Sequence, residues 1–319
     1  MKKIGSFFQL IRWPNLVFIA ITQLLFHFCV VVPSSQGNIY SFPLQLSTPL
    51  FLLLMLASVC IAAGGYIIND YFDINIDQIN KPGKMVVGKK IGRRWALVWH
   101  LIISFIGLFL SFYLSYQLQN WLIGIANFSC IVLLWYYSTS YKRRLLIGNV
   151  IISALTSWVI LVLLVAEVPG WWSGRPLDES EIATVARLSR IGVLYAGFAF
   201  ILSLVREVVK DLEDMEGDRK EGCKTMPIIW GIAASKVFVG VWMVVLLAAL
   251  IITQVYVIQF GWWISASYIL LLVVVPLIYI FKNFLRAILI HEFSAVSRQI
   301  KWIMLSGIFS MVFFMIYTR

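Results

Sequence analysis

The sequence predicts an all-α integral membrane protein. Of its 319 residues, 61% are hydrophobic and only 13% are charged, whereas soluble domains average about 45–50% apolar and about 25% charged residues. The mean hydropathy is +0.89. A chain of this length is long enough for two soluble domains, but we expect one transmembrane domain over residues 1–319, because no soluble stretch separates its apolar segments.

Apolar stretches of membrane-spanning length recur along the whole chain. A helix needs about 20 predominantly apolar residues to cross a bilayer. The nine predicted spans are 15–33, 49–69, 96–116, 120–138, 148–167, 190–209, 233–254, 262–281 and 301–318. Between the fifth and sixth spans, the segment 169–190 mixes both signs of charge and contains Trp171 and Trp172. Since tryptophan favours the membrane interface, this segment is expected to form a short surface helix.

Basic residues indicate how the spans are oriented. The formal net charge is +11, and the loops on one side hold every Lys and Arg except Arg175, Arg187, Arg190 and Arg319. By the positive-inside rule that side is cytoplasmic, so the chain is expected to begin inside and to end outside. In a chain this apolar, the positive charge indicates membrane topology, and it predicts no nucleic-acid partner.

Acidic residues are concentrated in two short stretches, 70–77 and 207–221. The aspartates Asp70, Asp73 and Asp77 in the first stretch have the spacing i, i+3 and i+7. The same spacing recurs in the second stretch with Asp211, Asp214 and Asp218. On a helix such residues lie within about 60° of one another, and carboxylates so placed repel one another unless a cation binds. Both stretches fall on the predicted cytoplasmic side.

Hard divalent cations suit such a carboxylate face, and Mg²⁺ is the simplest candidate because it takes oxygen ligands and shares them with phosphates. Asn69 adds a neutral amide oxygen beside the first aspartate. If the two motifs face each other, Mg²⁺ ions are expected to bridge them to a diphosphate and to neutralise its charge as a carbon–oxygen bond breaks. Cationic residues that help bind a diphosphate lie nearby: Lys81, Lys84, Lys142, Arg143, Arg206 and Lys210.

The motifs resemble those of the UbiA superfamily of intramembrane prenyltransferases. Asn69-Asp70-x2-Asp73-x3-Asp77 is similar to the family's first aspartate-rich signature, and Lys210-Asp211-x2-Asp214-x3-Asp218 is similar to its second. Further similarities to the family extend along the chain. They are Arg12-x2-Asn15 in the first span, Tyr137-Ser138 with Lys142 after the fourth, and Gly148-Asn149.

The resemblance implies nine transmembrane helices around a central cavity with cytoplasmic cap loops. It also implies Mg²⁺-dependent transfer of a prenyl group from a prenyl diphosphate to a lipophilic acceptor. The implied metal ligands are Asn69, Asp70, Asp73, Asp77, Asp211, Asp214 and Asp218. The implied catalytic cations are Lys142, Arg206 and Lys210. The implied substrate-binding residues are Arg12, Asn15, Lys81, Lys84 and Arg143.

One position favours a particular branch of the family. Members with aromatic acceptors often carry a tyrosine four residues before the lysine of the second motif, where this chain has Arg206. The sequence here is more similar to the digeranylgeranylglyceryl phosphate synthases, which attach geranylgeranyl to geranylgeranylglyceryl phosphate. A quinone, haem or chlorophyll precursor remains the alternative acceptor. The expected setting is a prokaryotic cell membrane, with membrane lipid around the chain and no obligate protein partner.

A function of a different class is a cation-coupled transporter. Such a protein is expected to carry its acids near the bilayer midplane, on helices that are broken there. In this chain the acids are grouped at one predicted surface, which favours the prenyltransferase.

Overall fold

The computed structural model describes residues 2–35, 44–80, 82–83, 85–167 and 178–317. Within these ranges it contains nine helices that are long and apolar enough to cross a membrane, which confirms the predicted number. These spans are Trp13–Ser35, Thr48–Phe72, Arg93–Gln117, Trp121–Thr139, Ile147–Glu167, Glu181–Glu213, Gly231–Ile258, Trp263–Arg286 and Ile290–Tyr317. The described chain is that of an integral membrane protein.

Shorter helices precede the first span or connect later ones. They are Lys2–Leu10, Ile74–Asn80, the 3₁₀ turn Tyr141–Arg143, Met215–Lys220 and Met226–Ile229. The first and eighth spans each contain a wider π-helical stretch, at Phe26–Val31 and Leu270–Val274. Such stretches are rare and local, and they interrupt the regular α-helical hydrogen-bonding pattern.

The sixth span is longer than the sequence predicts. One helix of 35 residues runs from Glu179 to Glu213, so the charged residues before position 190 continue the span and the predicted separate surface helix is wrong there. Glu179 and Glu181 lie in its first turn, where carboxylates interact favourably with the helix dipole. Residues 168–177, including both tryptophans expected at the interface, lie outside the described residues.

The ninth span also begins earlier than predicted, at Ile290 instead of residue 301. Glu292 caps this helix, because its Oε2 accepts hydrogen bonds from the backbone N–H groups of Ile288 (2.6 Å) and Leu289 (2.8 Å). A capped helix can begin outside the apolar core, since its first N–H groups already have acceptors. Hydropathy alone detects only the apolar part of such a helix.

The chain groups into two compact units, and the first comprises Met1–Leu24, Asn38–Lys142 and Trp158–Gly192. It contains the first acidic motif. A small apolar cluster packs around the end of its second span, formed by Leu10, Ile67, Val86, Val87 and Ala96. This cluster holds the N-terminal helix and the loop after the first motif against the helix that carries the motif.

The second unit comprises Leu25–Gly37, Arg143–Ser157 and Val193–Arg319, and it contains the second acidic motif. Its larger apolar core includes fully buried side chains such as Leu246, Leu277 and Phe284. Val208, Val209 and Leu212, which lie on either side of Asp211 in the sequence, belong to this core. One face of the motif helix is therefore fixed by packing. The single domain over 1–319 stays a prediction.

Candidate active site

The first acidic motif lies where the second span ends. The span stops at Phe72, Asp73 has φ −88° and ψ 3°, and a new helix begins at Ile74. The backbone N–H of Asp73 still donates to the carbonyl of Asn69 (3.0 Å), and that of Asp77 donates to Asp73 (2.8 Å). The helical hydrogen bonds therefore continue through a local kink at the middle aspartate.

The second acidic motif has the same local conformation. The sixth span stops at Glu213, and Asp214 has φ −96° and ψ 6°. Its N–H donates to the carbonyl of Lys210 (2.8 Å), and the N–H of Asp218 donates to Asp214 (3.1 Å). Both middle aspartates thus occupy the sparsely populated bridge region of backbone conformation. The expected regular helical face is interrupted in each motif at this residue.

Arg12 contacts the first aspartate of the first motif. Its Nη2 lies 2.6 Å from Asp70 Oδ1, and its guanidinium lies 5.4 Å from the ring centroid of Tyr66, one turn earlier on the second span. The backbone N–H of Asn15 donates to the Arg12 carbonyl (2.8 Å). The structure therefore places the Arg12-x2-Asn15 pattern beside the motif, and the Arg12 side chain makes the contact with it.

A second cation pairs with the middle aspartate. Lys142, from the turn after the fourth span, forms an ion pair with Asp73 Oδ2. The Asn69 Nδ2 atom donates to the same oxygen at 2.7 Å. Asp73 is only 4% exposed, and a buried carboxylate requires this kind of pairing because its desolvation is costly. The structure thus joins three predicted site residues, although they come from two separate stretches of sequence.

Asp77 completes the first motif in a different electrostatic setting. Its pKa is raised to about 6, mainly by burial and also by the negative charge of Asp73, although Lys142 lowers it. Burial disfavours the ionised form of any carboxyl group, and a neighbouring carboxylate adds repulsion. A cation bound beside Asp77 would relieve both effects.

In the second motif a neutral amide contacts the first aspartate. Asn149 Nδ2 donates to Asp211 Oδ2 at 2.8 Å. Asp218 is buried, and its carbonyl accepts from the N–H of Cys223 at 2.9 Å. This carbonyl contact holds the short helix that ends the motif against the loop after it.

The predicted cations of the second unit converge on an acid. Glu207 Oε1 lies 3.0 Å from Arg206 Nη1 and 2.6 Å from Lys210 Nζ. Arg143, the remaining described substrate-binding candidate of this unit, accepts a hydrogen bond at its carbonyl from the N–H of Lys224 (2.8 Å). Lys81 and Lys84 lie outside the described residues.

The donor groups of the first motif fit Mg²⁺. Within the part of the chain that the structure describes, no three Asp, Glu, His or Cys side chains lie close enough to hold a metal alone. Mg²⁺ commonly binds through one or two carboxylates and completes its shell with waters and substrate phosphates. The buried Asn69 Oδ1 accepts no hydrogen bond from any described residue. It is therefore a neutral oxygen that a cation can use.

Three contributing side chains carry no predicted role. Tyr66 is one aromatic residue among many, so the sequence has no signal for its contact with Arg12. Glu207 lies between two predicted cations with a helical i, i+3 relation to Lys210, which is a recognisable signal. Asn149 is part of the Gly148-Asn149 similarity, but its partner Asp211 is 62 positions away in the chain.

Comparisons with known proteins agree with the motifs. The sequence pattern of the UbiA prenyltransferase family matches residues 30–288. The digeranylgeranylglyceryl phosphate synthase of Methanothermobacter thermautotrophicus is 34% identical over 194 residues, which cover 60% of each protein. That of Methanosphaera stadtmanae is matched over 58% of its length at 32% identity. The chain therefore spans about three fifths of these two relatives, and 98% of the Sulfurisphaera tokodaii synthase at 27% identity over 317 residues.

Solved structures share the fold. A digeranylgeranylglyceryl phosphate synthase structure superposes with a TM-score of 0.62 at 25% identity, covering 98% of this chain and 99% of that one. A UbiA homologue of Archaeoglobus fulgidus, solved with GPP and Mg²⁺, superposes with a TM-score of 0.55 at 14% identity, covering 96% and 99%. At that lower identity the likeness shows the fold alone.

Proposed function

Because the chain belongs to the UbiA prenyltransferase family, we propose that it transfers a prenyl group from a prenyl diphosphate to a lipophilic acceptor. The donor is geranylgeranyl diphosphate and the acceptor is geranylgeranylglyceryl phosphate. The assignment of both substrates is supported by the names of the relatives and by Arg206, whose charge suits an acceptor that carries a phosphate.

One structural observation carries the proposal. Each unit presents an aspartate motif that is kinked at its middle residue, Asp73 or Asp214, with nearly the same φ and ψ. The first motif is bordered by the cations Arg12 and Lys142, and the second by Lys210. Carboxylates bind divalent metals, and adjacent cationic side chains bind phosphate, so each motif has the groups needed for both ligands.

The residues divide into two chemical roles. Asn69, Asp70, Asp73 and Asp77 would hold Mg²⁺ in the first unit, and Asp211, Asp214 and Asp218 would hold it in the second. A bound Mg²⁺ supplies charge neutralisation on the diphosphate. Lys142, Arg206 and Lys210 contribute fixed positive charge, which stabilises the negative charge that develops on the leaving diphosphate. The substrate-binding candidates are Arg12, Asn15, Lys81, Lys84 and Arg143.

The proposed topology places both motifs and the N-terminus on the cytoplasmic side of a prokaryotic membrane, with the C-terminus outside. The loops with the most basic residues support this orientation. Soluble prenyl donors and Mg²⁺ are available on that side. Thiol labelling of single-cysteine variants in intact cells and in inverted vesicles tests this topology. Labelling of Lys89→Cys from the outside of intact cells would contradict the topology.

The proposed reaction is tested with purified protein in detergent, Mg²⁺ and geranylgeranyl diphosphate. Geranylgeranylglyceryl phosphate, 4-hydroxybenzoate and a naphthoate quinone precursor are offered as parallel acceptors, and products are identified by mass. We expect an ether-lipid product that EDTA abolishes and added Mg²⁺ restores. A prenylated aromatic product would retain prenyl transfer and overturn the acceptor, and no product with any acceptor would overturn the proposal.

A further inference from the structure

Arg206, Glu207 and Lys210 form a compact charged cluster immediately before the second acidic motif. One oxygen, Glu207 Oε1, accepts from Arg206 Nη1 at 3.0 Å and from Lys210 Nζ at 2.6 Å. Glu207 is only 8% exposed. It is not among the residues predicted from the sequence to bind metal or substrate, and no step of the proposed reaction uses it.

The geometry explains why an acid is needed at this position. Arg206 and Lys210 are four residues apart on one helix, so their side chains lie on the same face. Two cations in that arrangement repel each other and would separate. Because a single carboxylate oxygen contacts both, it draws the two head groups together. Together these three side chains carry one net positive charge.

A second observation indicates that the cluster is incomplete without a ligand. The Arg206 Nε atom is buried and donates to no described residue. An unsatisfied buried donor is energetically costly. Arginine binds phosphate by presenting several N–H groups in a rigid fork. With Nη1 held by Glu207, the Nε–H of Arg206 remains as a donor for an anionic oxygen.

A nearby ion pair shows what an ordinary surface contact looks like. Glu216 Oε1 lies 2.8 Å from Lys220 Nζ, but both side chains are more than half exposed. Exposed pairs of this kind contribute little to stability. Glu207 differs because it is buried and because it serves two cations.

We propose that Glu207 is a positioning residue that holds Arg206 and Lys210 together as a binding pair for a substrate phosphate group. This inference rests on the proposed function. The phosphate belongs either to the acceptor or to the prenyl diphosphate, and Arg206 Nε is the donor directed to it. Glu207 itself touches no substrate and acts through the two cations.

The test compares Glu207→Gln, Glu207→Asp and the double variant Glu207→Gln/Arg206→Gln with the single variant Arg206→Gln. Glu216→Gln is the matched control, because it removes a carboxylate from an exposed ion pair in the same region. KM is measured for each substrate separately, together with kcat and the melting temperature in detergent. Binding of inorganic pyrophosphate and of glycerol phosphate is measured by calorimetry in parallel.

For Glu207→Gln we expect KM for one substrate to rise about tenfold or more, with the melting temperature retained. The substrate whose KM rises identifies the source of the phosphate. Glu207→Asp should recover part of the loss, and the double variant should be no worse than Arg206→Gln alone. Glu216→Gln should match the unmodified protein.

Unchanged KM for both substrates with unchanged binding of both probes would overturn the inference. Additive losses in the double variant would also overturn it, because Glu207 would then act independently of Arg206. If the unmodified protein forms no prenylated product, the proposed function fails, and the calorimetric comparison still decides the role of Glu207. If it forms product and Glu207→Gln behaves identically, only the positioning role fails.

Discussion

Arg12 Nη2 lies 2.6 Å from Asp70 Oδ1, which ties the turn before the first span to the first acidic motif. Asp70 is a largely buried carboxylate, and Arg12 is the cation hydrogen-bonded to it. Since Arg12 also lies over the ring of Tyr66, its position is held from two directions.

We expect Arg12→Gln to lower kcat/KM about tenfold or more, because a charged hydrogen bond at the motif is lost. Arg93→Gln is the matched control, because Arg93 lies 5.0 Å from the ring centroid of Tyr71 on the same span. The measurement is steady-state kinetics on both variants. Equal losses of kcat/KM in the two variants would show that activity depends on positive charge near the motif in general and not on the contact of Arg12 with Asp70.

The middle aspartates are expected to be indispensable. Asp73→Ala and Asp214→Ala should each lower turnover at least about a hundredfold, with the protein still folded and inserted in the membrane. Asp73→Ala has a second effect, since it also removes the ion pair of Asp73 with Lys142. Glu179→Gln, which changes an exposed acid in the first turn of the sixth span, is the control. Normal turnover by either aspartate variant would remove that residue from the metal site.

Binding of Mg²⁺ should weaken at acidic pH because of Asp77. Its pKa is raised to about 6 by burial and by the charge of Asp73. Below that pH a proton competes with the metal, so the dissociation constant for Mg²⁺ should increase between pH 7 and pH 5. Calorimetry across this range checks the effect. Asp77→Asn should bind more weakly at pH 7 and lose this part of the pH dependence.

The same pKa shift predicts an opposite trend for the stability of metal-free protein. The folded state holds the Asp77 proton more tightly than the unfolded chain, whose reference pKa is 3.8. The resulting stabilisation is complete below that value and is lost as the pH rises through about 6. Melting temperatures measured in EDTA should therefore fall over this window by more in the unmodified protein than in Asp77→Asn. Identical profiles would contradict the assignment.

Close packing between the second and third spans depends on Gly107. A Cβ atom there would lie 2.9 Å from Ile61 Cγ1 and 3.2 Å from the Ala57 carbonyl oxygen. Gly107→Ala should therefore cost about 1–3 kcal/mol of stability, seen as a lower melting temperature in detergent. Gly197→Ala is the control, since no neighbouring atom lies within 4 Å of its added Cβ. Equal melting temperatures would show that the two spans adjust without cost.

Sequence reasoning predicts most of the fold because hydropathy is a local property. The number of spans follows from runs of about 20 apolar residues. Its failures are at the sixth and ninth spans, where charged residues extend the helices beyond the apolar core to Glu179 and Ile290. Capping and dipole interactions sustain those extensions, and hydropathy does not register them.

The sequence by itself determined the two aspartate motifs and their spacing, because both are local features of neighbouring residues. Only the tertiary structure decided which partners those aspartates have. Arg12 reaches Asp70 across 58 positions, Lys142 reaches Asp73 across 69, and Asn149 reaches Asp211 across 62. The kink at each middle aspartate is likewise seen only in the structure. Such contacts depend on how separate helices pack, and helical periodicity carries no information about that.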